Sequence, residues 1–205
     1  MNWLASRLYD PFMRHFEEAC LADWRRNLLA QAGGYVLEVG AGTGANIEWY
    51  PDGVDEVVFV EPTDYMRAQL QRRIDESLSC PYRIDERPIE DFDADIEGFD
   101  TVVLTLVLCS VDEPVAVLKR LHELLRPGGQ LLFLEHVKAR KTGRRRAQNI
   151  LEPVWKLCAG NCHLTRDSEA LIGDAGFQFE AIERDEMDAA LPFLRPTIRG
   201  VARRP

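Results

Sequence analysis

The stretch Val36-Leu37-Glu38-Val39-Gly40-Ala41-Gly42-Thr43-Gly44 decides the fold. Tyr35–Val39 is a short apolar run that reads as a buried strand, and three alternating glycines follow it at once. A turn of that composition lets backbone approach a ligand closely and aims its N–H groups outward at a helix start. Gly40, Gly42 and Ala45 also satisfy G-x-G-x-x-G/A, so the loop alone suits a dinucleotide as well as another nucleoside-bearing ligand. Glu61 closes the next apolar run, Glu56–Val60, 21 residues after Gly40. A carboxylate at that place accepts hydrogen bonds from ribose hydroxyls, which either ligand carries.

Outward from the loop, strand and helix alternate. Asp64 is placed to cap a helix whose apolar positions Met66, Leu70, Ile74 and Leu78 recur every four residues. Pro81–Ile84 is a weak strand. Phe99–Cys109 (FDTVVLTLVLC) is the most apolar run of the chain and reads as a central strand buried on both faces. Asp112 and Pro114 open a helix with Val115, Leu118, Leu121 and Leu125 inward, and Arg126-Pro127-Gly128-Gly129 ends it. Gln130–Glu135 is a further buried strand. After an excursion of about 30 residues come a short helix, Arg166–Ala175, and closing strands Phe177–Ile182 and Thr197–Ala202. On the N-terminal side, Leu4, Leu8, Phe12 and Phe16 make an apolar stripe over residues 2–16, which Pro11 interrupts, and a second helix is expected over Glu17–Ala30. The pattern implies an α/β sheet, mostly parallel, with helices on both faces.

Composition narrows the function. The chain has 205 residues, 46% apolar and 29% charged, enough for one ordinary domain and too regular for a disordered one. A net charge of −9 argues against a dedicated nucleic-acid binder. Five cysteines, an odd number, do not form a disulfide framework, so a reducing cytoplasm is the expected location.

Three features separate the ligand classes. Glu38 precedes the first glycine by two residues, where a carboxylate faces an ammonium group well and repels a pyrophosphate. Gly44 extends the series to G-x-G-x-G. The order EVGAGTG, VVFVEP, FDTVVLTLVLCSV and LLRPGGQLLFLEHV, followed by two late strands, resembles the class I S-adenosylmethionine (AdoMet)-dependent methyltransferases over nearly the whole chain. The resemblance implies a Rossmann-like, seven-stranded, mostly parallel sheet in one domain, 1–205, with N-terminal lid helices in residues 1–32 and an acceptor-side insertion at 138–165. It also implies a set of cofactor contacts. Glu38 stands near the methionine amino group, and Gly40, Ala41, Gly42 and Gly44 line the methionine and ribose. Glu61 takes the ribose hydroxyls, with Pro62 and Met66 beside the adenine. Ile89 and Glu90 match the adenine-edge loop, and Thr105 and Leu106 end the fourth strand facing the reactive methyl. Core packing explains Met66 and Ile89 equally well, and a solvated acidic loop explains Glu90, since Asp85–Asp100 holds eight acids. A differently liganded or non-catalytic Rossmann module is the remaining alternative.

The methyl acceptor is narrowed by exclusion. Enzymes that methylate adenine or glutamine nitrogens place Asn/Asp-Pro-Pro-Tyr/Phe after the fourth strand, and this chain has Thr105-Leu106-Val107-Leu108. The strings TLVLCSV, EHV, EPVWKLCAGNCHLTRDS and LRPTIRG resemble the alkyl-thiol methyltransferase (methyltransferase-like 7) group and its small bacterial relatives. That implies a small-molecule acceptor, with a thiol foremost and a quinone precursor, phospholipid or other small amine as alternatives. A thiol with an ordinary pKa near 8.5 needs a base, and His136 and His163 are the candidates, each otherwise a structural hydrogen-bonding residue. Cys158-x3-Cys162-His163 lacks the spacing of a recurring zinc site, so no metal is expected, and Cys20 and Cys109 read as small core residues. Lys138–Arg146, six basic residues in nine, reads as a solvated loop, with contact to an anionic membrane surface as the alternative.

Overall fold

The computed structural model describes residues 13–94 and 98–205. The N-terminal stripe at Leu4, Leu8 and Phe12, and Pro11 with it, lies outside the described residues. A π-helical turn, Glu17–Leu21, runs directly into α1, Ala22–Leu29. There follow β1 (Gly34–Val39), β2 (Val54–Val60), α2 (Asp64–Ser77), β3 (Tyr82–Asp85), β4 (Phe99–Thr105), α3 (Pro114–Leu124) and β5 (Leu125–His136). The chain then forms α4 (Thr142–Cys158), α5 (Ser168–Asp174), β6 (Gln178–Glu186) and β7 (Pro196–Arg203).

The seven strands lie in the order β3-β2-β1-β4-β5-β7-β6. Strands β1 to β5 pair in parallel, and β7 runs antiparallel to both β5 and β6. Because strands alternate their side chains between faces, neighbouring residues enter different cores. Leu37, Val58, Val102, Leu104 and Phe133 pack with Val117, Leu118 and Leu121 of α3 and Ile172 of α5. Val36, Val57, Phe59, Val103, Leu132 and Leu134 pack with Leu28 and Leu29 of α1 and Leu70 and Ile74 of α2. Strand order reverses between β1 and β4, so a crevice opens outside the carboxyl ends of those two strands.

Several local expectations need correction. The strand expected over Phe99–Cys109 stops at Thr105, and residues 106–109 turn away. Leu106 takes the left-handed conformation there (φ 60°), and its N–H donates to the Leu134 carbonyl at 2.8 Å. Val115 is 46% exposed, because α3 begins at Pro114 and turns Val117 inward instead. Arg126–Gly129 follows the end of α3 as expected and also forms the irregular start of β5, where register slips between Phe99 and Thr101. Asp64 is the first residue of α2 and pairs with Arg67, while no side chain caps the helix.

The largest correction concerns residues 138–165, where the expected excursion is mostly a 17-residue helix. Arg144 and Arg145 lie in its first turn with Arg146 just after, against the helix dipole, and Pro153 sits inside it. Gln148 compensates from the buried face: its Oε1 accepts the Ala139 N–H at 2.7 Å, and its Nε2 donates to Val137 and Phe193 carbonyls at 3.2 and 3.0 Å. The helix is thereby fastened to the end of β5.

Candidate active site

The crevice holds a buried polar network built from four elements. Glu38 points from β1 and accepts from Asn46 Nδ2 at 2.9 Å and from the Tyr50 hydroxyl. Asn46 Oδ1 accepts from Arg25 Nη1 at 2.7 Å, and Thr105 Oγ1 at the end of β4 accepts from both Arg25 (2.8 Å) and Asn46 (3.0 Å). Arg25 reaches in from α1 and is only 3% exposed, with Glu17 as its ion-pair partner at 3.1 Å. Burial pushes Glu38 up to about 7, although Tyr50, Asn46 and the Arg25 charge oppose the shift. Among the expected site residues, Glu38 and Thr105 therefore meet. Arg25, Asn46 and Tyr50 are additional members that no motif marked.

The glycine loop folds back on the end of β2. The Gly40 N–H donates to the Val60 carbonyl at 2.8 Å, and Gly40 takes φ 64°, where a Cβ would stand 2.7 Å from Val107 Cγ2. Only glycine fits that approach. Ala41 is buried beneath the loop. Glu61 is 4% exposed, and its two oxygens accept the N–H groups of Gly42 (2.9 Å) and Thr63 (2.8 Å). Each carboxylate oxygen keeps a further lone pair for a ligand hydroxyl. The Met66 sulfur lies 4.0 Å from the position of a Cβ on Gly42, so Met66 borders the same loop, with Pro62 exposed at its rim. Gly44 packs near Ile47 and Leu70. Ile89 is buried in the core with Val60 and Phe92, whereas Glu90 is exposed on the outer side of the same short helical turn.

Beyond the crevice, the turn after β4 is held by a second buried acid. Glu135 of β5 accepts the N–H groups of Val107 and Leu108 at 2.9 Å each and of Cys109 at 3.3 Å. Burial outweighs those bonds and lifts Glu135 to about 7. The next residue, His136, faces the other side of the sheet. Its Nε2 lies 3.5 Å from the Phe193 carbonyl, and its buried Nδ1 has no partner among the described residues. Burial lowers His136 to about 4, so it is neutral at pH 7. His163, after α4, is partly exposed and has Nδ1 3.5 Å from Glu152 Oε1. Burial, with the nearby Arg166 and Lys156 charges, lowers it from its ordinary value against the pull of Glu152. Glu152 is itself fixed by Thr165, through the backbone N–H at 2.8 Å and the hydroxyl at 2.7 Å. Glu152 thus stands 3.5 Å from His163, and its charge also acts on His136.

Phe16, Trp24, Leu106, Trp155 and Phe193 belong to one packed cluster, and Trp155 meets Phe193 edge-on with centroids 5.9 Å apart. A cavity of about 680 Å³ lies elsewhere, between α5 and β6. Two ion pairs line it, Arg144 with Glu186 at 2.6 Å and Arg184 with Glu169 at 2.7 Å. Among the described residues no cluster of His, Cys, Asp or Glu has a metal-binding arrangement, and no helix is long and apolar enough to cross a membrane.

Glu61→Ala is expected to leave the fold intact and to weaken nucleoside binding by about 1–3 kcal/mol, the scale for removing hydrogen bonds to a charged acceptor. Unchanged affinity in titration calorimetry would place the ribose elsewhere.

Known proteins resemble the chain in sequence and in fold. The chain is 37% identical over 154 residues to the thiol S-methyltransferase TMT1B of Rattus norvegicus, covering 72% of this chain and 62% of the relative. It is 38% identical over 173 residues to human TMT1B, covering 82% of this chain and 69% of the relative. The chain therefore spans about two thirds of the length of these curated relatives. The solved S-adenosylmethionine-dependent methyltransferase of Mesorhizobium loti superposes with a TM-score of 0.69 at 18% identity, over 92% of this chain and 100% of that one, and shares its fold. A family model described as a methyltransferase domain matches residues 13–182, and the chain belongs to that AdoMet-dependent methyltransferase family.

Proposed function

We propose that the chain transfers the methyl group of AdoMet to a small, partly hydrophobic thiol. The observation that carries the cofactor half is the Glu38–Asn46–Arg25 network, in which Asn46 bridges a buried carboxylate at the end of β1 and a buried guanidinium. That is the complement of an α-amino acid zwitterion: Glu38 receives the ammonium and Arg25 the carboxylate of the methionine portion. Gly40, Ala41, Gly42 and Gly44 give backbone contact, Glu61 receives the ribose hydroxyls, and Pro62 and Met66 flank the base. Ile89 and Glu90 stand at the adenine edge, and Thr105 and Leu106 at the methyl. AdoMet, when bound, supplies an electrophilic methyl on a sulfonium sulfur.

The acceptor half rests on the apolar cluster, the histidine pair and the thiol S-methyltransferase relatives. Phe16, Trp24, Leu106, Trp155 and Phe193 offer an apolar wall that suits an organic thiol and no charged polymer. His163 is the general base. With Nδ1–H directed to Glu152, its Nε2 is free to take the thiol proton, and Glu152 then stabilises the imidazolium. His136, buried and held at about 4, is too weak a base for an ordinary thiol and orients the apolar wall through Phe193. Attack on the methyl is an in-line displacement, for which alignment is the main requirement.

The cofactor assignment predicts a pH dependence. Glu38, at about 7, is roughly one-tenth ionised at pH 6 and nine-tenths ionised at pH 8, and the cofactor ammonium selects the ionised form. AdoMet affinity is therefore expected to rise about tenfold from pH 6 to 8, with proton release on binding, and Glu38→Gln should flatten the profile. The sign for stability runs the other way in the free protein. Because folding raises the Glu38 pKa, its contribution is present below about pH 4.5 and fades as pH rises through about 7. Calorimetry in buffers of different ionisation enthalpy reads the proton directly. Thermal stabilisation by NAD(H) with none by AdoMet or S-adenosylhomocysteine would overturn the cofactor reading.

A further inference from the structure

The acceptor side carries a thiol pair that methyl transfer does not use. Cys109 lies in the turn after β4 and Cys162 in the segment after α4, and hydrogen bonds sew these segments together. The His163 N–H donates to the Cys109 carbonyl at 2.7 Å, and Asn161 Nδ2 donates to the Ser110 carbonyl at 2.9 Å. Arg166 Nη1 donates to the carbonyls of Leu108 and Val111 at 2.6 Å each. The registration sets the Cys109 and Cys162 side chains beside each other. All five cysteines of the chain are free thiols.

The two sulfurs have unlike surroundings. Cys109 is 3% exposed and sits against the Leu106 carbonyl and Ser110 hydroxyl at 3.5 Å, while Cys162 is partly open. The neighbouring Cys109 thiol, the Trp155 indole and the Arg166 charge favour the Cys162 thiolate against burial. The neighbouring Cys162 and burial keep Cys109 protonated. An accessible thiolate backed by a buried thiol is the arrangement of an attacking and a resolving cysteine.

We propose that Cys162 and Cys109 reduce small organic disulfides at the acceptor side of the crevice. The Cys162 thiolate attacks one sulfur of RS–SR, forming Cys162–S–SR and releasing RS⁻. The Cys109 sulfur then attacks the Cys162 sulfur, the S–SR bond breaks, and the Cys109 proton leaves with the second RS⁻ as RSH. The two cysteines supply two electrons, each disulfide yields two thiols, and the protein is left with a Cys109–Cys162 bond. Closing it brings the sulfurs to about 2.05 Å. An external dithiol, such as dithiothreitol, restores the pair. The exchange needs no methyl donor and stands apart from the choice of methyl acceptor.

The test uses the full chain carrying Cys158→Ser, which removes the exposed cysteine nearest in sequence to Cys162. The reduced protein is treated with bis(2-hydroxyethyl) disulfide without AdoMet and read by intact mass and disulfide mapping. The expected product is lighter by two hydrogens, carries a Cys109–Cys162 crosslink and releases two thiols per chain. Adding Cys109→Ser should stop the reaction at a stable mixed disulfide on Cys162. Adding Cys162→Ser should leave Cys109 unmodified. Both variants should keep the AdoMet-induced thermal shift of the parent, which separates lost reactivity from lost fold. A stable adduct on Cys162 in the parent without the crosslink, an unreacted Cys162, or an adduct on Cys109 would each overturn the proposal.

Discussion

His163→Ala is expected to lower the rate of S-methylation of an aliphatic thiol by about 10²–10⁴-fold at pH 7, the usual contribution of a positioned general base. The basis is geometric: His163 is partly exposed, has a carboxylate partner at 3.5 Å, and stands on a segment bonded to the turn after β4. Its lowered pKa keeps it neutral, and so able to accept a proton, at pH 7. The loss should shrink as pH approaches the acceptor's own pKa near 8.5, because solvent then ionises the thiol. An acidic aryl thiol, already ionised at pH 7, should be nearly insensitive to the same change. Steady-state rates for one aliphatic and one aryl thiol across pH 6–9 check this. Equal losses for both acceptors would assign His163 a structural role, and an unaffected rate would remove it from the mechanism.

Arg25→Met is expected to destabilise the fold by about 3 kcal/mol and to weaken AdoMet binding as well. Arg25 supplies hydrogen bonds to Glu17, Asn46 and Thr105 from a buried position, so its removal leaves Glu17 and the Asn46 oxygen without their cationic partner. The buried Asn46 oxygen and the partly buried Glu17 carboxylate then lack their donor, and leaving such groups unpaired costs more than the bonds themselves contribute. Arg25→Lys should not restore either property, since a point ammonium cannot reach three acceptors in fixed directions. Urea unfolding with and without AdoMet separates the two effects. A variant of unchanged stability that binds AdoMet normally would show that the network is dispensable.

The fold was legible where the residue pattern and the local physics coincide. Buried parallel strands are continuous apolar runs, so Val36–Val39, Val57–Val60 and Leu131–Leu134 announced themselves, and the glycines after β1 located the crevice. What escaped depends on contacts distant in sequence. Arg25 sits in an ordinary amphipathic helix, and its 3% exposure follows from Glu17, Asn46 and Thr105, the last 80 positions away. Asn46 and Tyr50 are likewise fixed by Glu38 rather than by any motif. The helix α4 was hidden by its basic first turn and by Pro153, and it is held by Gln148, whose partners on β5 and before β7 no local window includes. The strand ended early at Thr105 because Leu106 turns left-handed and Glu135, 30 residues on from Thr105, captures the N–H groups of Val107 and Leu108, and an apolar run cannot announce that.

The most direct measurement incubates the protein with AdoMet carrying a ¹³C-labelled methyl group and a panel of aliphatic thiols, amines and quinol precursors, and follows the label by NMR. The account predicts a labelled thioether formed in one-to-one proportion with S-adenosylhomocysteine. Label arriving on carbon or nitrogen, with thiols inert across pH 6–9, would contradict it.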